Sequence, residues 1–406
     1  MPLPLRFALF FLMLSATTYA AHRYLYHRTV HDLGPSEAWR RVGRRVWIAL
    51  GVGLLLALPL GRLLPPDVGI FVAYTAFCWM GVLAILLPMN LVMEPLRFWL
   101  GRRARSALAL PGEDGPADPG RRLAMTRMTA AATTLGSASV AAAGVTTALD
   151  DPDIVHVEVR LDRLPAAFDG YTIVQLSDIH VGPTIGQRFT ERLVERIDPL
   201  APDAVVITGD LVDGPVPRLI EGVRPLSRFR TRDGIFFCTG NHEYYSGVDA
   251  WCGALEELGV RVLRNARHTL QRTATDGGAA AIDLIGVDDW SGGGGAASGF
   301  DVGKAVEGRD PERCAVLLCH QPRGIHKAAE AGLDLVLSGH THGGQIWPYG
   351  YFVALIQPYV QGLHRHDART QIYVNPGTGY WGPPMRVKIR AEITHITLRS
   401  TGRAPA

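Results

Sequence analysis

Three long runs with almost no charge stand in the first part of the chain, and no apolar run of comparable length follows Asp150. They are Phe7–Ala21 (FALFFLMLSATTYAA), Val46–Leu64, with a single Arg62 near its end, and Val68–Met93. A helix needs about 20 apolar residues to cross the hydrocarbon core of a bilayer. The second and third runs therefore predict spanning helices, and the first, though shorter, predicts another. The first also has the length of a signal-peptide core, but only Arg6 precedes it and no small-x-small cleavage site follows, which favours a retained helix. Met128–Leu149 is uncharged throughout yet rich in Ala, Ser, Thr and Gly, so it reads as a small-residue span or as a linker.

Arginine placement sets an expected orientation. Arg23, Arg28, Arg40, Arg41, Arg44 and Arg45 separate the first two runs, and Arg97, Arg102, Arg103, Arg105, Arg121, Arg122 and Arg127 follow the third. Both connections are expected in the cytoplasm. The Pro65-Pro66-Asp67 turn has no Lys or Arg and is expected outside. With four spans, everything from Asp150 onward is extracytoplasmic; with three, it is cytoplasmic. Arg121-Arg122 also looks like a twin-arginine export signal, but the pair is internal and no Phe-Leu follows, so a positive flank is the simpler reading. Residues 1–150 are thus expected to form a membrane region of three to four helices, and 151–406 a separate domain. Leu108–Gly120 reads as a Pro/Gly/acidic loop, Asp150-Asp151-Pro152 as the boundary, and the Gly-rich Ser291–Gly299 as a flexible loop.

Overall, 47% hydrophobic and 19% charged residues exclude a disordered chain. With 41 Lys+Arg against 38 Asp+Glu, bulk charge indicates no nucleic-acid surface. Five cysteines without a C-x-x-C pair form neither a disulfide scaffold nor a zinc ribbon.

After Asp150 the pattern becomes short β-rich runs alternating with helical stretches, the signature of an α/β domain. The expected strands are 154–161, 171–177, 203–208, 234–239, 281–287, 314–319, 333–338, 371–374 and 393–398. Several are continuously apolar, as strands buried on both faces must be. Metal-competent residues stand just after five of them: Asp178 and His180, Asp210, Asn241 with His242 and Glu243, His320, and His340 with His342. In an open α/β sheet, ligands collect at the carboxyl ends of strands, so these clusters can converge. Carboxylates, imidazoles and an amide carbonyl form a mixed O/N donor set suited to Mn, Fe or Zn. Two such ions sharing an Asp would suit hydrolysis at phosphorus by a metal-activated water. Gly209, Gly240 and Gly339 each stand between strand and ligand, where the chain turns sharply or approaches an ion. Asp178 and His180, and likewise His340 and His342, are two apart and share a side if the strand continues.

The blocks D-x-H, G-D, G-N-H-E, a strand-terminal His and G-H-T-H-G-G-Q, in that order, resemble the calcineurin-like metallophosphoesterase family over Val155–Leu398. More narrowly, an N-terminal membrane region before this domain is similar to membrane-anchored bacterial phosphoesterases of the YkuE/YaeI type and to transmembrane proteins with a metallophosphoesterase domain. The resemblance implies a four-layer α/β/β/α sandwich and two divalent ions. Asp178, His180, Asp210 and His342 would hold one, and Asp210, Asn241, His320 and His340 the other, with His242 as the non-ligand catalytic imidazole.

Taken singly, these residues have plainer roles: strand-terminal Asp as a turn former, Asn241 as a turn residue, Glu243 as a helix starter. The nine histidines outside the motifs are assigned surface or packing roles, with His364 and His366 in a loop able to reach a substrate. Cys319 is expected as a small buried hydrophobe. Arg323 reads as a solvated charge or as a ligand of a phosphate oxygen, and Tyr244, Tyr245, Trp290 and Trp347 as core, groove or membrane-interface residues. The expectation is a membrane-bound phosphate-ester hydrolase acting on a phosphodiester or a lipid-linked phosphate, since the domain closely follows the last apolar segment; the substrate-binding residues remain unassigned. The rival is a membrane-anchored metal- or phosphate-binding module without turnover, for which His242 would have no use. A transporter is disfavoured because the second and third runs contain no Asp, Glu or Lys.

Overall fold

A computed structural model of the chain describes residues 3–34, 36–64, 66–99, 119–274, 277–292 and 299–402. Most of the expected Leu108–Gly120 and Ser291–Gly299 loops lies outside these residues. The chain falls into two units, one of Met1–Thr146 with Gly382–Met385, the other of Thr147–Trp381 with Arg386–Ala406.

The apolar runs of the first part are helical: α1 Leu3–Tyr26, α2 Glu37–Leu63, α3 Pro66–Val92 and α4 Pro119–Leu149. Ser36 caps α2 by accepting the Trp39 N–H. Trp47 and Trp79 meet edge to face at 5.2 Å, and the Trp79 indole N–H donates to His22 Nε2 at 3.0 Å, a packing role for that histidine. Glu94 accepts from Tyr24, Arg28 and Arg97 at 2.6–2.9 Å, so its charge is paired. Among the described residues, two helices are long and apolar enough to cross a membrane, Val68–Trp99 and Leu123–Leu149. These contain the third and fourth segments read from the sequence. The first two include side chains outside the described set, Phe7, Phe10 and Leu58 among them.

The second unit is built on two six-stranded sheets. In the first the order is β1 (Asp153–Leu161), β12 (Glu392–Ser400), β2 (Thr172–Leu176), β3 (Ala204–Thr208), β4 (Gly234–Cys238) and β5 (Arg261–Val262). In the second it is β10 (Gly362–Arg365), β11 (Gln371–Val374), β9 (Leu335–Ser338), β8 (Ala315–Leu318), β7 (Ala279–Gly286) and β6 (Ala266–Thr273). Strands β2 to β5 run parallel, as do β7, β8, β9 and β11, while β12 lies antiparallel to β2.

Side-chain alternation along these strands fixes the layers. Ala204, Val206, Phe236 and Cys238 of the first sheet share one core with Val316, Leu318, Leu335 and Leu337 of the second. Their sequence neighbours point the other way. Val205, Ile207, Ile235 and Phe237 pack on Leu193 and Ile197 of the helix Gln187–Ile197 and on Trp251 of the helix Val248–Glu257. Ala315, Leu317 and Val336 pack on Ala305, Ile325 and Ala328 from the short helices beyond the second sheet. The result is the expected α/β/β/α order of layers. All nine expected strands are present, and β5, β6 and β10 are additional, each at a sheet edge.

A buried ion pair ties the segment after β1 to the start of β9. Arg163 donates to both carboxylate oxygens of Asp334 at 2.8 and 2.7 Å, with both side chains nearly inaccessible. Asp334 also accepts the Ala315 N–H at 2.8 Å. Replacing Arg163 by Met leaves that carboxylate buried and uncompensated, and is expected to cost about 3–5 kcal/mol. Reduced resistance of the full chain to proteolysis on heating would register it; unchanged resistance would refute the estimate.

Candidate metal centre

Five of the expected ligands share an unusual backbone. Asp178, His180, Asp210, His340 and His342 all have positive φ, between 50° and 70°. Non-glycine residues are uncommon there, and Asp, Asn and His are the least disfavoured. The expectation that Asp178 and His180 meet through strand alternation is therefore corrected: β2 ends at Leu176, and left-handed turns bring the pair together. Such conformations cost roughly 1–3 kcal/mol each and persist only where surrounding bonds hold them. Here the Asp178 carboxylate accepts the His340 N–H at 2.9 Å and the Ser177 hydroxyl at 2.6 Å, while Asp210 Oδ1 accepts the His242 N–H at 2.8 Å.

The intervening glycines have separate reasons. Gly209 itself has φ +82°. A side chain at Gly339 would place its Cβ 1.8 Å from Ser177 Oγ and 2.2 Å from Asp178 Oδ2, and one at Gly240 would lie 2.2 Å from Asp210 Oδ1. Both loops need bare backbone for the carboxylates to approach.

The ligand atoms gather into three overlapping groups, Asp178 with His180 and His342, His180 with Asp210 and His242, and Asp210 with His320 and His340, each within 4.8 Å. Asp210 is the hub: its Oδ2 lies 3.2 Å from His320 Nε2 and 3.9 Å from both His180 Nε2 and His242 Nε2. His180 Nε2 is 3.2 Å from His342 Nε2, and His320 Nε2 is 3.2 Å from His340 Nδ1.

Hydrogen bonds on the far sides of these rings decide what faces the centre. His180 and His242 each direct Nδ1 at Asp213 Oδ1, at 2.9 and 2.6 Å, and His320 directs Nδ1 at the Thr208 carbonyl, at 2.8 Å. A carboxylate and a carbonyl only accept, so each Nδ1 carries the proton, and in the neutral rings each Nε2 presents a lone pair inward. Those lone pairs face the carboxylates of Asp178 and Asp210. Asn241 Oδ1, on the residue before His242, is buried and has no hydrogen-bond partner among the described residues. Acceptors facing acceptors in a buried site are satisfied by a cation or by protons between them, and the donor set fits divalent ions.

The carboxylates and imidazoles shift one another strongly. Burial alone would lower the His180 pKa, yet the carboxylates of Asp213, Asp210 and Asp178 raise it to about 9. Burial would raise the Asp210 pKa, but His320, His180 and His242 hold it far below the usual carboxylate range. Burial and the neighbouring His320 push His340 down to about 4.

A family profile described as calcineurin-like phosphoesterase matches residues 171–344, a span that includes all these groups. A zebrafish (Danio rerio) protein named "transmembrane protein with metallophosphoesterase domain" is 36% identical over 411 residues, covering 96% of this chain and 89% of its own. The chain belongs to the calcineurin-like metallophosphoesterase family. A cattle (Bos taurus) protein of the same name is 40% identical over 63% of this chain and 59% of its own. An uncharacterized metallophosphoesterase of Bacillus subtilis, YkuE, is 31% identical over 60% and 84% respectively.

Several residues of this metallophosphoesterase domain escaped the sequence reading. Asp213 stands three residues after Asp210 and orients two imidazoles; its carboxyl is held below the ordinary range because the His180 and His242 charges outweigh burial. Glu243 does more than start a helix. Its buried carboxylate accepts the N–H groups of Gly240, Asp210 and Leu211 at 2.7–3.0 Å, fastening the loop that carries Asp210. Burial and the nearby Asp210 charge raise its pKa to about 7. Arg386 is fully buried and donates to the carbonyls of Pro376, Gly377 and Gly379, bracing a turn whose Gly379 N–H bonds the Asp178 carbonyl. Spacing in G-D-L-V-D offered a signal for Asp213; nothing in the sequence marks Arg386.

Arg323 lies with its guanidinium 5.8 Å from the Trp290 ring centroid and its Nε buried with no hydrogen-bond partner among the described residues, so it is not a freely solvated charge. Cys319 is buried, its Sγ on the Gln321 carbonyl. His364 and His366 bond Gln361 and Tyr359 and join none of the metal-competent groups. Tyr245, Trp290 and Trp347 are 73%, 44% and 50% exposed, which excludes core packing for all three.

Proposed function

We propose that the domain hydrolyses a phosphate ester at a centre of two divalent ions. Asp178, His180, Asp210 and His342 would hold one, and Asp210, Asn241, His320 and His340 the other. The observation that carries this reading is the set of lone pairs converging on Asp178 and Asp210, supported by a buried Asn241 Oδ1 that has no hydrogen-bond partner among the described residues. Bound ions supply Lewis acidity, lowering the pKa of water towards ~7 and neutralising phosphoryl oxygens. The mixed donors suit Mn, Fe or Zn.

The chain's own residues supply the rest. His242 holds its Nδ1 proton on Asp213 and turns Nε2 towards Asp210, 3.9 Å away. Protonated at Nε2, it donates to the departing ester oxygen. Asp213 stabilises that imidazolium and holds His180 in the tautomer that binds metal. Asp213→Asn is therefore expected to lose about 10–100-fold in metal affinity or rate and to move the alkaline limb of the pH–rate profile to lower pH, because the proton that a general acid must carry is no longer held by a carboxylate, whereas a purely structural role would leave the profile in place.

In the same reading, residues 1–150 are the membrane region and 151–406 the catalytic domain. Support comes from the two helices of spanning length and from the names of the relatives. Arginine placement favours an extracytoplasmic domain, which protease access in intact cells would test. Closeness in sequence to α4 favours a phospholipid or lipid-linked phosphate.

The deciding experiment is hydrolysis by the full chain in detergent with Mn, using bis-p-nitrophenyl phosphate beside the mono-ester. Diester turnover above the mono-ester supports the phosphodiesterase reading. A folded, metal-replete protein that releases nothing from either, or from lipid pyrophosphates, would leave a binding module instead.

A further inference from the structure

From His340 to His364 the chain contains no Asp, Glu, Lys or Arg, a charge-free stretch in the half that otherwise reads as soluble. Its middle is exposed: Trp347 50%, Tyr351 71%, Phe352 62%, Leu355 81% and Ile356 68%. Contiguous apolar surface of this kind marks an interaction site.

The segment is held rigidly. Ile346 bridges to Val387 and Lys388, and the Trp347 N–H bonds the Val387 carbonyl at 3.1 Å. Backbone bonds from Tyr351 to Pro348 and from Ala354 to Gly350 close its turns, and the buried Gln357 side chain accepts the Arg323 N–H at its far end. Its apolar tips are thus presented outward by a braced backbone.

It is also joined to the catalytic histidine. Gln345, two residues before Trp347, exchanges two hydrogen bonds of 2.9 Å with the Trp381 backbone, and the Trp381 ring lies 5.7 Å from His242. Trp381 is itself 50% exposed. An apolar lip therefore runs from the mouth of the site outward.

We infer that the Trp347–Ile356 segment is a membrane-interface lip that dips into the headgroup and acyl boundary of a bilayer. Three observations choose lipid over another occupant. The exposed residues are Trp, Tyr, Phe, Leu and Ile, the amphipathic aromatics and aliphatics that favour that boundary. The Lys388 ammonium sits 4.4 Å from the Trp347 ring centroid, with no carboxylate paired to it among the described residues, and so offers a cation to anionic headgroups at the base of the lip. The same chain carries two helices long and apolar enough to span a bilayer, which the function proposed above reads as membrane spans. That a lipid phosphate then enters the site rests on the phosphoesterase reading proposed above; insertion of the lip shares with that reading only the assignment of the two helices as membrane spans.

The test places a polarity-sensitive nitrobenzoxadiazole label on Leu355→Cys in the full chain, in a Cys78→Ser background because the other cysteines are buried. The control carries the label on Arg230→Cys, whose side chain is 87% exposed on the same unit. Both are reconstituted in phosphatidylcholine vesicles with a minor share of phosphatidylglycerol. The expected result is blue-shifted emission at position 355, quenched several-fold more by shallow nitroxide lipid than at 230 and protected from iodide. Equal iodide access at the two positions would overturn the inference. So would shielding at 355 that persists in detergent and grows with protein concentration, which would put a second copy of the chain on the lip. Neither readout depends on turnover, so an inactive enzyme would leave this inference standing or falling by itself.

Discussion

Under the proposed two-ion centre, Asp210→Asn is expected to reduce diester hydrolysis to background and to lower bound metal from about two ions per chain to one or none. Asp210 Oδ2 faces three imidazole nitrogens and belongs to two of the three ligand groups. An amide of the same shape removes the carboxylate charge and can turn N–H groups towards nitrogens that need a cation. The loop itself should survive, because Glu243 fastens the backbone of Asp210 and Leu211 independently of the Asp210 side chain. Metal analysis and protease resistance separate the two effects. Retention of both metal and activity would remove Asp210 from the centre; loss of protease resistance would make its role structural.

His242→Gln is the complementary case, with rate expected to fall by about 10²–10⁴ while metal content stays at the wild-type level. His242 belongs to the group with His180 and Asp210, and its ring stands against exposed aromatics, Tyr245 at 5.3 Å and Trp381 at 5.7 Å. A general acid matters more as the leaving oxygen becomes more basic. The deficit should therefore be larger for a methyl or glyceryl ester than for a p-nitrophenyl ester. Equal deficits for both would assign His242 to stabilising phosphoryl charge instead, and loss of metal would make it a ligand.

Much of the domain was legible because its central strands are buried on both faces. Ala204–Thr208 and Leu335–Ser338 are buried throughout and read as unbroken apolar runs. The strands that escaped notice lie at edges. Ala266–Thr273 is Arg, His, Thr and Gln for most of its length, and Gly362–Arg365 alternates half-buried and exposed residues. An edge strand needs only one neighbour and can keep polar groups against unwanted pairing, so these two strands leave no apolar signature, whereas β1, also at an edge, alternates Ile, Val and Leu and was legible. The same limit hid Asp213 and Arg386, whose roles consist of bonds to groups distant in the chain or to backbone carbonyls.

The amino-acid sequence by itself determined which segments are apolar enough for long helices, where the buried strands lie, and which donor types follow them in which order. These are local properties, set by side-chain chemistry and by the periods of strand and helix. Tertiary structure decided how the donors meet. Asp178 and His342 are brought to 3.3 Å by left-handed turns that strand periodicity does not predict, and Asp213 reaches two rings at once. Packing also decided which apolar residues stay uncovered. Leu337 and Leu355 are the same residue type eighteen positions apart, yet one is fully buried between the sheets and the other is 81% exposed. Burial depends on what the rest of the chain places over a residue, and no local pattern contains that information.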